Sequence, residues 1–258
     1  MAAIRATTRP KLGLRVLVAA TILATIVVNV LANAVPFFGR GTGEVSNLYP
    51  TLVTPAGYVF AIWGLIYLGL LTYAGAQFLS SFLADDPLPD HLAWPLIVSG
   101  VANVVWLLLW QSLNIFWTVP VMLVLLVSLI IANVISRSGQ PGHAAVATRW
   151  AVQAPLSLYL GWISVATIAN ISGALYAARW DGWGIAPEWW GVVVLVVGAA
   201  LAVAGLARHR DAVFAGVFVW AFAGIAVATP ASLVQMTATA LAVLIAVGIV
   251  LAMLMPRR

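Results

Sequence analysis

Cysteine is absent from all 258 residues, which removes disulfides, thiolate metal centres and cysteine nucleophiles from the available chemistry. Lysine occurs once, at Lys11, so no lysine inside an apolar run can hold an aldehyde such as retinal as a Schiff base. Charge of either sign is scarce. Asp, Glu, Lys and Arg make up 7% of the chain, against about 25% in a soluble domain. So few charges cannot cover a water-facing surface, and a soluble globular protein is excluded. All seven acidic residues, together with His91, His143 and His209, fall between apolar runs or at their ends. An ionisable group at the centre of a membrane helix costs roughly 2.5–3.5 kcal/mol and is kept mainly for function. None is kept here, which argues against a proton-coupled pump, a buried metal site and a histidine-ligated haem within the bilayer. Ser-His-Asp constellations, nucleophile elbows, HExxH and phosphate-binding glycine loops are missing as well. The sequence therefore reads as a non-enzyme, with no cofactor required.

What the chain does have is apolar length. It is 64% hydrophobic with a mean hydropathy of +1.08. A helix needs roughly 20 apolar residues to cross about 30 Å of hydrocarbon. Runs bounded by Pro, Gly or charge predict eight spans: Val16–Val35, Gly57–Leu83, Leu92–Ser112, Ile115–Ser136, Trp150–Ala177, Trp189–Ala207, Ala212–Thr229 and Ser232–Met255. Apolarity is continuous rather than alternating, so helices are expected and not barrel strands. The fold class is all-α, a polytopic membrane helix bundle. Its sharpest break, Arg179–Glu188, holds Gly182, Gly184 and Pro187. That break divides a tail (1–15), a five-helix core (16–178) and a three-helix C-terminal extension (179–258). The extension carries small residues at Gly198, Ala202, Gly205, Gly216 and Gly224, a pattern that favours close helix packing.

With eight spans, Arg5, Arg9, Lys11, Arg15, Arg137, Arg149, Arg208, Arg210, Arg257 and Arg258 share one side, and only Arg40 and Arg179 take the other. The positive-inside rule then puts both termini in the cytoplasm and the protein in the cytoplasmic membrane. The cytoplasmic loop with Asp85, Asp86, Asp90 and His91 dissents, but acids count little in that rule. These basic loops also account for the pI near 10.1, so no nucleic-acid partner is called for. A second reading of the first span stands beside this one. Arg5 to Arg15 resembles a signal-peptide n-region, Val16–Val30 an h-region, and Ala32-Asn33-Ala34 a cleavage site.

Inside the spans the polarity is uncharged and the aromatic content high. Asn103, Trp106 and Trp110 recur at three- and four-residue steps and so share a helix face; Tyr159, Trp162, Ala166 and Asn170 do the same. Tyr58, Trp63 and Tyr67 form a third stripe, and Asn29 and Asn33 sit four apart on the first span. Taken singly, such residues make interhelical hydrogen bonds or interfacial belts. Three stripes mixing aromatic and amide groups point to an apolar pocket with a few oriented polar groups. Four Trp flank the break, at Trp180, Trp183, Trp189 and Trp190. They read as headgroup anchors, or alternatively as a cavity mouth that stacks on a flat ligand.

Three segments carry a family resemblance. PAGYVFAIWGLIY over residues 55–67 resembles the PPxWxFxxxWTxLY segment of the tryptophan-rich sensory protein family, also known as the translocator-protein or peripheral benzodiazepine receptor family. NVVW over 103–106 is similar to its LNxxW, and YLGWISVATIAN over 159–170 to its PYLxWVxFAxxLN. The resemblance implies a five-helix bundle enclosing a cavity for a tetrapyrrole such as porphyrin, or for a sterol- or isoprenoid-like lipophilic small molecule. It also implies a homodimer, and a first loop, here Pro36–Thr54, that lids the cavity. By that resemblance the ligand-binding residues are Tyr58, Trp63, Tyr67, Asn103, Trp106, Trp110, Tyr159, Trp162 and Asn170. Arg40 would meet a ligand carboxylate, since guanidinium groups hold carboxylates bidentately. The implied role is that of a sensor, with facilitated transport or porphyrin or isoprenoid modification as alternatives. The chain departs from the pattern at Tyr49-Pro50-Thr51-Leu52, where the family has Lys-Pro-x-Trp, at Tyr58 in place of a Trp, and at Ser99 in place of a Gln. Apolar enclosure tolerates these exchanges better than porphyrin-degrading chemistry does.

Overall fold

The structure is a computed structural model that describes residues 11–79, 83, 86–138 and 145–255. Arg5, Arg9, Asp85, His143, Arg257 and Arg258, used above for orientation, lie outside the described residues. The described chain is helical. Helix α1 runs Leu12–Ala34, followed by short α2 (Thr42–Leu48), a 3-10 turn at Gly57–Ala61 and α3 (Ile62–Ala76). Next come α4 (Leu88–Gln111), α5 (Ile115–Ser138), α6 (Ala145–Thr148), a π-helical turn at Arg149–Gln153 and α7 (Ala154–Ala177). The last three long helices are α8 (Pro187–His209), α9 (Ala212–Ala228) and α10 (Ser232–Leu254). Among the described residues, seven segments are long and apolar enough to cross a membrane. The difference from eight is α9, whose 17 residues give a rod of about 26 Å at 1.5 Å per residue. This is near the lower limit for spanning.

Five helices close a ring in the order α1, α3, α7, α5, α4. Helices α1 and α4 run parallel, matched at both ends: Arg15 Nε donates to Asp90 Oδ1 at 2.8 Å, and Gln111 Nε2 donates to the Ala32 carbonyl at 2.7 Å. Between those ends the two helices approach closely at Gly100, where a Cβ would lie 2.6 Å from Thr21 Cγ2. The Arg15 head is buried, and its remaining nitrogens donate to the carbonyls of Gln77, Leu83 and Asp86. It thereby satisfies the carbonyl of Gln77, the C-cap of α3, and two carbonyls of the connection that follows. A second polar cluster lies at the same end of the bundle. Arg137 pairs with Asp211, and Asp211 Oδ2 also accepts from Ser157 Oγ at 2.6 Å.

The last three helices are continuous with the ring. Helix α9 packs along α7, with Gly161 facing the Phe214 carbonyl and Val217, and it also meets the 3-10 turn. There Ala56 N donates to the Gly224 carbonyl at 3.1 Å, and Trp220 Nε1 to the Val59 carbonyl at 3.0 Å. Helices α8 and α10 cover α9 from the outside. Of the small residues expected to sit at interfaces, Gly198 faces Phe222 and Phe218, Gly205 faces Phe214 and Gly224 faces Val59. Gly216 is the exception, with open space around it.

Candidate functional site

A cavity of about 60 Å³ lies within the ring at the end covered by α2. Its walls come from Trp63 on α3, from Asn103, Trp106 and Trp110 on α4, from Met122 on α5, and from Trp162 and Asn170 on α7. The stripes read from the sequence on α4 and α7 thus face inward. Trp106, Trp110, Trp162, Asn103 and Asn170 are all buried. The rings support one another. Trp106 stacks on Trp110 with centroids 5.4 Å apart, Trp63 meets Trp162 at 6.2 Å, and Phe60 meets Trp162 edge-on at 5.8 Å. This mutual packing keeps the cavity below the 300–1,000 Å³ typical of ligand pockets. The chamber expected for a tetrapyrrole is occupied mainly by its own indoles.

Polar groups divide into two sets. On the side away from α2, Asn29 Nδ2 donates to Asn103 Oδ1 at 2.8 Å, and Asn103 Nδ2 donates to the Tyr159 hydroxyl at 3.0 Å. This chain links α1, α4 and α7 and closes that side of the cavity. Nearer the lid, Asn170 Nδ2 donates to Thr118 Oγ1 at 2.8 Å, which fixes the amide's orientation. The second set is unpaired. Among the described residues, nothing hydrogen-bonds to the buried Nε1 of Trp106, Nε1 of Trp162, Oδ1 of Asn170 or Oγ1 of Thr42. All four residues line the cavity. A buried polar atom without a partner costs roughly 1–3 kcal/mol, so four around one small space mark it as a place where a ligand's polar atoms would be stabilised.

The lid is tethered rather than loose. Glu44 Oε2 accepts from Gly41 N at 2.8 Å and caps α2, Asn33 Oδ1 accepts from Thr42 N at 3.2 Å, and Trp110 Nε1 donates to the Thr42 carbonyl at 3.0 Å. From the covering segment, Thr42, Ser46, Tyr49, Thr54 and Pro55 reach the cavity.

Four expected residues stand elsewhere. Arg40 is exposed and does not line the cavity. Tyr58 is 48% exposed and packs edge-on against Trp220 of α9. Five residues separate it from Trp63, and five steps of about 100° leave the two about 140° apart even in a regular α-helix; the 3-10 turn at Gly57–Ala61 widens that only to about 160°. Tyr67 stacks on Trp63 outside the cavity wall, and Tyr159 lies behind it, holding Asn103. Phe60, Tyr49, Met122 and Gly173 belong to the lining and are absent from the sequence-based set. Phe60 was within the 55–67 segment and could be read from it; Met122 and Gly173 carry no local signal.

Structure and sequence together define a polytopic helical membrane protein with a lidded, indole-walled interior cavity. The chain belongs to the TSPO-like protein family, whose sequence model matches residues 15–251. The match runs through α8, α9 and α10, so these helices are part of the family region. No curated protein and no solved structure matches the chain. Among the described residues, no group of His, Asp and Glu is arranged to hold a metal ion.

Proposed function

We propose that the protein is a membrane binding protein for a lipophilic ligand of the tetrapyrrole class, acting as a sensor in the cytoplasmic membrane with both termini on the cytoplasmic side. The observation that carries this reading is the set of four unpaired buried polar atoms on residues that line one aromatic cavity. Two indole N–H donors and an amide oxygen ask for a ligand bearing both acceptors and donors on an apolar frame. A tetrapyrrole combines those features. At about 60 Å³ the space admits a small group but not a macrocycle, so binding requires the α2 lid to lift and the Trp63, Trp106 and Trp162 rings to part. The hydrogen-bonded Asn29–Asn103–Tyr159 layer closes the opposite side, which favours binding over passage through the bundle.

The test is a titration of purified protein with protoporphyrin, followed by tryptophan quenching. Saturable quenching in the wild type is expected, with at least tenfold weaker affinity in Trp162→Ala and Asn170→Leu. Saturable binding that neither substitution alters would place the ligand elsewhere. Net porphyrin flux into proteoliposomes would replace the sensor by a facilitator.

A further inference from the structure

A second, larger cavity lies outside the ring, where the core joins the last three helices. Its volume is about 450 Å³, within the range of small-molecule sites, and it shares no lining residue with the interior cavity. The stretch Pro50–Val53, the last turns of α7, the connecting loop and the first turns of α8 border it, and it opens to the outside of the bundle. Tyr176, Trp180 and Trp190 contribute aromatic surface, and Asp181 and Glu188 are the only charged residues in the lining. Arg179, next in sequence to Trp180, is outside it.

The walls are held in place. Trp180 and Trp190 brace each other with centroids 5.0 Å apart, and Trp190 Nε1 donates to the Gly182 carbonyl at 3.0 Å. The loop can bring that carbonyl in because Gly182 has φ +67° and a Cβ there would stand 3.3 Å from Trp190 Nε1. With its N–H engaged by the loop, Trp190 offers the cavity ring carbon. Asp181 Oδ1 accepts from Trp183 N at 2.9 Å, which fixes one carboxylate at the rim.

We propose that this cavity is a binding site for a lipophilic organic monocation. Aromatic rings attract cations through their quadrupole, most strongly where water is thinned, and two carboxylates without a lining base add a negative field. Leu175 and Val194 supply the apolar surface for the body of such a ligand. A phospholipid headgroup is disfavoured, because its phosphate would meet the same carboxylates. The site is independent of the interior cavity and of any ligand bound there.

The experiment compares tetraphenylphosphonium with tetraphenylborate, ions of nearly equal shape and opposite charge, binding to the full chain in neutral phosphatidylcholine nanodiscs. Empty nanodiscs define simple partitioning. Saturable binding of tetraphenylphosphonium is expected, with none for tetraphenylborate above the empty-disc level. Asp181→Asn with Glu188→Gln should weaken it at least tenfold; Asn at 181 keeps an acceptor for Trp183 N. Glu188→Gln alone, which leaves the loop untouched, should weaken it severalfold and serves if the double variant fails to fold. Asp86→Asn removes a carboxylate outside the cavity, keeps an acceptor for Leu88 N, and should bind as wild type. The proposal is overturned if tetraphenylphosphonium only partitions, if tetraphenylborate saturates equally, if both site variants bind unchanged, or if Asp86→Asn weakens binding as much as they do.

Discussion

Gly224 is where α9 meets the entrance of α3, and it offers a quantitative test of the packing. A Cβ added there would lie 2.1 Å from Val59 Cγ2. That is about 1.4 Å inside the ordinary carbon contact distance. Val59 has little room to retreat. It is fully buried, its carbonyl accepts from Trp220 Nε1 at 3.0 Å, and Ala56 N is bound to the Gly224 carbonyl at 3.1 Å. Overpacking of this kind costs about 1–3 kcal/mol. Replacing a helical Gly by Ala returns about 1 kcal/mol of propensity, so the net loss for Gly224→Ala is roughly 0–2 kcal/mol. Gly216→Ala on the same helix meets nothing within 4 Å and gains the propensity alone. The informative quantity is therefore the gap between the two variants, about 1–3 kcal/mol with Gly224→Ala the weaker. Unfolding in mixed SDS micelles, followed by circular dichroism, measures it. Combining Gly224→Ala with Val59→Ala removes the colliding methyl, and the two effects should fall short of additive by about 1 kcal/mol or more. The reasoning fails if Gly224→Ala is as stable as Gly216→Ala, or if the double variant is strictly additive.

Three further outcomes are expected. Asp211→Asn leaves the part-buried Arg137 without its carboxylate and should cost about 3 kcal/mol, at the low end for a buried pair because Arg137 keeps some exposure. Arg137→Gln added to it should recover part of that loss in the same SDS assay, and a wild-type value for Asp211→Asn alone would mean that the pair is solvated. Trp110→Phe removes the tether from α4 to the Thr42 carbonyl. Losing roughly 0.6–1 kcal/mol there should speed porphyrin association about three- to fivefold in stopped-flow quenching. An unchanged on-rate would show that α2 does not gate entry. Finally, α1 supplies the partners of Asp90, Asn103 and Gln111, so intact mass spectrometry of membrane-purified protein should find it retained. A mature N-terminus at Val35 would reverse that reading.

Which side chains turn inward was legible where the helix was regular. On α4 and α7 the steps of three and four residues place Asn103, Trp106 and Trp110, and Trp162 and Asn170, on faces that the structure turns inward. Tyr58 turns away because it stands five residues from Trp63, a spacing that separates two side chains by about 140° even in a regular α-helix. Met122 and Gly173 were illegible for another reason. A methionine or glycine joins a wall only through what stands opposite it, and that is decided by which helices become neighbours.

The composition by itself determined the solvent. With so little charge and so much apolar length, the chain must satisfy its backbone internally and span a bilayer as helices. It also filled the spans with uncharged polar and aromatic groups. Tertiary structure decided what those groups surround. The indoles expected to wall a wide chamber pack on one another and leave about 60 Å³, whereas Trp180 and Trp190, at the junction of α7 and α8, border about 450 Å³ outside the ring. Cavity size follows from how side chains on separate helices interlock, a sum over pairs distant in sequence, and no local pattern encodes that sum.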